Sequence, residues 1–473
     1  MSSLQWALLT DAVLLGLCIS ALVLYGRLSA LHPATTYFFF HAYTVTFRLL
    51  ALELGASLMR SLPEPANLEE VLRAARAFDL ALIAVTVLWL HLASKERHLA
   101  GRAVSTGSRT GGQTLSPKLV QVIAMVSIMV GVIALRYLTF SGADTRTANL
   151  DRLGEWNRSS WVSMTMDWAL QGTMMLHYLR GFPPVHTAIT VGFFVLTALN
   201  PARCSVVVWG IFACFIVLSR RHRRWPTVPA ILVLATIAAV WFPLKIIRAS
   251  YWAGEDVEGI LRNAVTYTTA ELAPGGNGGD TVFLDQAAVV MTLVDRHGSY
   301  FYGSTLAPLF VVPVPRPWWP DKPSLNLYQK VISTPARPIG RAGMIATVVG
   351  EGYANFGWVG VVLYPLLAAY GYGRFYFFAM RRPYKSVSRF SYLFAACMLI
   401  QVFRDGLVSA VIFTLVAAMP MTFVLYLHWL FCPKVKQCRY GAPGHEGQRR
   451  VSASSLRQVR LRGEFRGHAR PPT

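Results

Sequence analysis

Leu4–Tyr25 reads LQWALLTDAVLLGLCISALVLY, apolar along its whole length with Asp11 as its only charged residue. A helix needs about 20 such residues to cross the hydrocarbon of a bilayer. No basic residue precedes the run and Asp11 interrupts it, so it reads as a retained span rather than a cleaved signal peptide. Similar runs recur around 37–59, 77–94, 119–140, 161–179, 185–202, 204–219, 226–244, 356–379, 390–403 and 407–431. They bring the expected total to about eleven spans. With 54% of its 473 residues hydrophobic and 14% charged, the chain is expected to be an all-α polytopic integral membrane protein.

Lysine and arginine set the expected orientation, because short basic segments stay in the cytoplasm. Basic clusters occur at Lys95–Lys118, Arg220–Arg224, Arg381–Arg389 and from Cys432 onward. All fall on one side if eleven spans are threaded. The N-terminus then lies outside and the C-terminus inside. Four parts follow: 1–244 with spans one to eight, 245–355 as one large extracytoplasmic loop, 356–431 with spans nine to eleven, and 432–473 as a basic, disordered cytoplasmic tail.

The formal net charge of +22 would suit a nucleic-acid partner, but most of the excess lies in the cytoplasmic segments and the tail. Topology and anionic lipid headgroups account for it there, and no nucleic acid is expected. The six cysteines form no disulfide framework and no CxxC metal pair. A P-loop, a dinucleotide glycine fingerprint and HExxH are all missing from the sequence, so neither a cofactor nor a metal is expected. Internal repeats of the transporter type are missing as well.

Charges inside spans are expensive and are kept with a partner or a task. Arg48 sits mid-span with His41 and Glu53 in the same run. Glu53, five residues on, faces elsewhere, so an ion pair with another helix is expected, with Asp11 or Asp79 as the partner. Asp167, His177 and Arg136 lie nearer span ends, where solvation by snorkelling is expected. A different set of cations, Arg203, Lys245, Arg248, Arg316, Lys322, Arg337, Arg341 and Arg404, falls at the outer ends of spans or in the outer loop. Against the positive-inside trend, their concentration suggests a diphosphate or similar anion, which guanidinium forks bind in bidentate fashion.

Val312–Ser324, VPVPRPWWPDKPS, breaks the apolar pattern with a proline density that excludes helix. Prolines would hold Arg316 and Lys322 at low entropic cost. Trp318 and Trp319 suit either the interfacial belt or stacking on sugar rings. Downstream, Ile339–Val362 supplies several glycines and Glu351, then opens a span. The order VPRPWWPDKP, a glycine-containing stretch, then GEGYANFGWVG resembles the oligosaccharide repeat-unit polymerases of bacterial surface polysaccharides. These are the O-antigen or Wzy-type polymerases, related to O-antigen ligases. The resemblance covers roughly Leu306–Leu363 in its motifs and is architectural elsewhere, with NPARCSVVVWGIF from Asn200 similar to the family's arginine at the outer end of a middle helix. STPARPIGRAG departs from the family pattern in carrying more cations and prolines.

The resemblance implies a GT-C-like membrane glycosyltransferase without a cofactor, in the bacterial cytoplasmic membrane with its site facing outward. Its partners would be polyprenyl-diphosphate-linked glycans, the lipid bilayer and a chain-length regulator or other assembly protein. An acceptor hydroxyl attacks the anomeric carbon and the diphosphate lipid departs. Arg203, Arg248, Arg316 and Arg404 would bind diphosphate, with Lys322, Trp318 and Trp319 in support. Glu351, Asp405 or His297 would act as the general base, Glu351 alternatively capping or orienting the next helix. An O-antigen-ligase-like transferase and a lipid-linked-glycan flippase are the competing readings.

Overall fold

The computed structural model describes residues 1–25, 28–58, 66–105, 117–140, 158–198, 203–228, 256–272, 282–311 and 347–408, with scattered positions between them and up to 427. These residues are 84% helical, and none of them forms a strand. The expected spans at 226–244 and 407–431 lie largely outside them, and the tail 432–473 wholly so. Contacts divide the chain into Met1–Leu425 and Tyr426–Thr473, and the architecture that follows belongs to the first unit.

Helix α1 (Ser3–Leu24) starts at a capping box in which Ser2 and Gln5 satisfy each other's amides. Helix α2 (Pro33–His41) runs through a π-helical turn, Ala42–Thr46, into α3 (Phe47–Glu53) without leaving helical backbone angles. Gln5 on α1 donates to Glu53 at 2.7 Å, so the start of α1 lies beside the end of α3. Helix α4 (Leu68–Ser105) starts with another reciprocal cap, Asn67 with Glu70. It begins nine residues before the apolar run at 77–94, because its first turns are polar.

Helices α5 (Pro117–Phe140) and α6 (Arg158–Arg180) pack closely because small residues meet. A Cβ at Gly131 would strike Ala169, and one at Gly172 would strike the Ala124 backbone. Helix α7 (Pro184–Ala198) follows a tight turn closed by His177, whose ring nitrogens bond the Gly181 carbonyl at 2.9 Å and the Thr190 hydroxyl at 2.7 Å. His177 is thus buried and hydrogen-bonded rather than solvated at a helix end, which corrects the expectation for it. Helix α8 (Arg203–Arg220) then packs on α6 and on α13 (Val387–Asp405).

The stretch 245–355 contains α9 (Val257–Leu272), α10 (Phe283–His297), the short α11 (Pro308–Val311) and the beginning of α12 (Thr347–Met380). Helix α10 is buried against α4, α12 and the π-turn. At 15 residues and with Asp285, Asp295 and Arg296 in it, it is too short and too polar to register as a span. It nevertheless supplies the partner of Arg48. The Arg48 guanidinium bonds the Asp285 carboxylate twice, at 2.8 and 2.5 Å, with both side chains fully buried. The expected partners, Asp11 and Asp79, converge on His41 instead. That part of the sequence reading is corrected: the ion pair exists, but its carboxylate comes from a segment that hydropathy alone assigns to a loop.

Four described helices are long and apolar enough to cross a membrane: α1, Leu68–Glu96 of α4, Pro117–Ala134 of α5, and α12. Three of them, α1, α4 and α12, share a core with α2, α3, α10 and α13, which α5 does not enter. Trp89 of α4 is fully buried at its centre and donates to the Ala369 carbonyl of α12 at 3.1 Å. Gly373 leaves room for it. Where α4 and α12 end, the basic segment 381–389 is tied down by an Arg381–Glu96 ion pair and by Arg389 donating to Ser219 at 2.9 Å.

Candidate functional site

GEGYANFGWVG, residues 350–360, folds as a hairpin inside α12. Helical geometry fails at Phe356 (φ −140°, ψ 21°) and Gly357 (φ 58°, ψ −141°), the second a left-handed position suited to glycine. The two arms lie backbone to backbone, for a Cβ on either Gly352 or Gly360 would run into the carbonyl of the other. The arm from Trp358 to Met380 still measures ~34 Å at 1.5 Å per residue, the length of a span. The arm 347–355 instead doubles back along it.

The segment after α10 fastens the tip of this hairpin. Amides of Phe301 and Tyr302 donate to the carbonyls of Ala354 and Asn355, both at 3.0 Å. Asn355 accepts from Gly303 at 2.9 Å and donates to Thr305 and to the Glu351 carbonyl, at 2.6 and 2.8 Å. These bonds satisfy the carbonyls that the helix break leaves open. The Asp295–Arg73 ion pair brings the end of α10 beside the start of α4.

A half-exposed group of mixed chemistry results. Asp295 accepts from the Tyr353 hydroxyl at 2.6 Å and pairs with Arg73. The Arg73 guanidinium also bonds the Tyr353 hydroxyl and lies 5.3 Å from the Tyr353 ring centre and 5.8 Å from that of Trp358. Tyr300 and Trp358 stand edge-on to Tyr353, each with centroids 6.0 Å apart. Arg73 and Asp295 keep 35% and 38% of their side-chain surface accessible. Tyr353 itself is buried, while Tyr300 and Trp358 are exposed; a cation, a carboxylate and these two exposed rings on one surface can bind a polyhydroxylated ligand by hydrogen bonds and ring contact.

Of the residues expected at a site, three come together nearby. Buried Glu351 accepts from the Leu407 amide at 2.5 Å, and Gly406 packs on its carboxylate. Arg404 forms a two-pronged pair with its neighbour Asp405, at 2.6 and 2.9 Å. Glu351 thus holds the backbone just after the Arg404–Asp405 pair, the capping geometry that sequence reading left open beside the base role. His297, in the last turn of α10 two residues beyond Asp295, is exposed and stacked on Phe301 at 6.1 Å. Trp319 is exposed. Arg248, Arg316, Trp318 and Lys322 lie outside the described residues, as does the side chain of Arg203, whose backbone begins α8.

Arg73, Asp295, Tyr300, Tyr353 and Trp358 were not singled out from sequence as site residues. Tyr353 and Trp358 stand inside the quoted motif, and that was the available signal. Asp295 and Arg73 join it only through long-range folding. Among the described residues, one group of three metal-binding side chains occurs, Asp11, His41 and Asp79, and it is separate from this site in sequence and helices, apart from the shared α4. Compared with protein-family models, with curated proteins and with solved structures, the chain matches none.

Proposed function

We propose that the chain is a membrane glycosyltransferase that polymerises polyprenyl-diphosphate-linked oligosaccharide repeat units into a bacterial surface polysaccharide. The reading rests on the motif resemblance over Leu306–Leu363. The observation that carries it furthest is that the GEGYANFGWVG hairpin sets exposed Trp358 beside half-exposed Arg73 and Asp295, with buried Tyr353 bonding both charges from beneath. Sugars combine apolar faces with dense hydroxyls, and this combination of groups suits them.

In this account about eleven spans cross the cytoplasmic membrane with the N-terminus outside. The hairpin tip and the stretch 245–355 then face the outer leaflet, where lipid-linked repeat units lie. An acceptor hydroxyl forms a bond to the anomeric carbon of the donor as the bond to the diphosphate breaks. The electron pair leaves with the polyprenyl diphosphate, and the hydroxyl proton passes to a base. Arg203, Arg248, Arg316, Lys322 and Arg404 stabilise the departing charge. His297, exposed in the last turn of α10, is the accessible base; Asp295, two residues before it, is held by Arg73 and the Tyr353 hydroxyl. Buried Glu351 accepts from the Leu407 amide and Asp405 pairs with Arg404; both remain candidates for the base alongside His297. A chain-length regulator is the expected protein partner.

The glycan profile of a strain lacking the chain tests the assignment. Single repeat units, unpolymerised on their carrier or acceptor, are the expected result. Long polymer left on the lipid carrier would mean a ligase, and repeat units retained in the cytoplasm would mean a flippase.

A further inference from the structure

Three helices bring an unusual set of side chains into the bundle interior. Asp11 lies in α1, His41 at the end of α2, and Asp79 in α4; one donor atom from each falls within 4.8 Å of the others. His41 Nε2 is 2.7 Å from Asp11 Oδ1 and 3.6 Å from Asp79 Oδ1. Asp11 and His41 are completely buried, and Asp79 is 17% exposed. Asp11 lies eight positions into α1, ~12 Å from its start, well inside the apolar part of that helix.

We propose that Asp11, His41 and Asp79 bind one divalent transition-metal ion of the zinc class. The spacing fits, because donors held at about 2.0–2.1 Å around a tetrahedral zinc stand ~3.3 Å apart. The separations of 2.7 and 3.6 Å bracket that value. Charge fits as well. As metal ligands, two ionised carboxylates and a neutral imidazole would carry −2 in an apolar interior, and the nearby buried cation Arg48 is engaged by Asp285 and the Ser57 carbonyl. A dication neutralises the remainder, where an uncompensated buried charge would be costly.

Local structure supports the same assignment. The π-turn Ala42–Thr46 begins directly after His41, and such turns recur at functional positions. It places the Thr46 hydroxyl 2.6 Å from Asp11 Oδ2, the kind of outer contact that orients a ligating carboxylate. The Tyr37 hydroxyl is buried without a hydrogen-bond partner, within electrostatic reach of Asp79. The Asp79 Oδ1 atom also lacks a hydrogen-bond partner. Without a metal, His41 Nε2–H donates to Asp11 Oδ1, and Nδ1 has no hydrogen-bond partner, so ligation through Nε2 requires the ring proton to sit on Nδ1 or leave. A mixed nitrogen and oxygen set favours zinc, cobalt or manganese over the harder calcium and magnesium. The proposal stands on these residues alone and is independent of the glycan reading.

The test uses the full chain, purified without a polyhistidine tag, placed in nanodiscs, stripped with chelator and titrated with Zn²⁺. One equivalent should survive desalting, and X-ray absorption of the zinc-loaded wild type should show one imidazole with oxygen donors and no sulfur. The Asp11→Asn/Asp79→Asn variant should bind at least about a hundredfold more weakly. Failure of the wild type to retain zinc, undiminished binding in that variant, or a sulfur shell indicating cysteine ligation would each overturn the site. Should the variant not fold, the wild-type absorption spectrum decides by itself.

Discussion

Arg48 and Asp285, 237 positions apart, share two hydrogen bonds with both side chains fully buried. Through this pair α10 becomes a member of the bundle. Removing one partner leaves an unpaired charge in a low-dielectric interior, whereas replacing both with apolar groups removes the problem. Arg48→Met and Asp285→Leu should each lower stability by about 3–5 kcal/mol, while the double variant recovers most of the loss. Thermal denaturation in a single detergent measures this. Additive losses in the double variant would show that the pair is not coupled.

The hairpin in α12 leads to a contrast among glycines. Alanine at Gly352 or Gly360 must push the arms apart, for an expected loss of about 1–3 kcal/mol or more. At Gly371 a Cβ meets nothing within 4 Å, and alanine there should be neutral or mildly stabilising, since glycine weakens a helix. Equal losses at all three positions, read as shifts in melting temperature, would argue against the reversal at Phe356–Gly357.

Glu351 separates two roles by a conservative change. Its carboxylate accepts from Leu407, and a glutamine oxygen can do the same. Glu351→Gln should therefore retain protein abundance and most polymer, while Glu351→Ala loses both. A drop on the order of a hundredfold in polymerisation by Glu351→Gln at normal abundance would identify Glu351 as the proton acceptor instead.

His32 carries a pH signature. It caps α2 by accepting from the Ala34 amide at 3.1 Å, and its ring stands edge-on to Trp89, Tyr376 and Phe377. Burial pushes its pKa down from 6.5 to about 3. Between those values the unfolded chain binds the extra proton, so stability falls as pH drops below about 6.5, by up to ~1.4 kcal/mol per pH unit. His32→Asn keeps a capping acceptor and should flatten the melting-temperature profile on the acid side of neutrality. Identical acid slopes for both proteins would rule this out.

Hydropathy revealed the helices whose whole length is apolar, such as Leu4–Tyr25, because hydrocarbon imposes length and composition together. It passed over α10, which is buried by protein rather than lipid and so carries Asp285 and Gln286 on its buried surface. The glycines of 350–360 were legible as a place of close approach. Their reversal was not, because apolar character continues through the turn. Glu351, His297, Arg404 and Asp405 stood out by residue type. Arg73 did not, since its partners Asp295 and Tyr353 lie 222 and 280 positions away and no local pattern encodes them. Asp11, His41 and Asp79 stand out as charges within spans, but their convergence does not, since each comes from a different helix.

Glycan polymerisation can be reconstituted from purified components. The purified chain in nanodiscs would be given polyprenyl-diphosphate-linked repeat units extracted from its own deletion strain. The account predicts a ladder growing by whole repeat units, with one polyprenyl diphosphate released per bond formed, and at least about a hundredfold slower growth for Arg316→Ala, with Arg316→Lys in between. Unchanged repeat units after prolonged incubation with protein shown to be folded would contradict it.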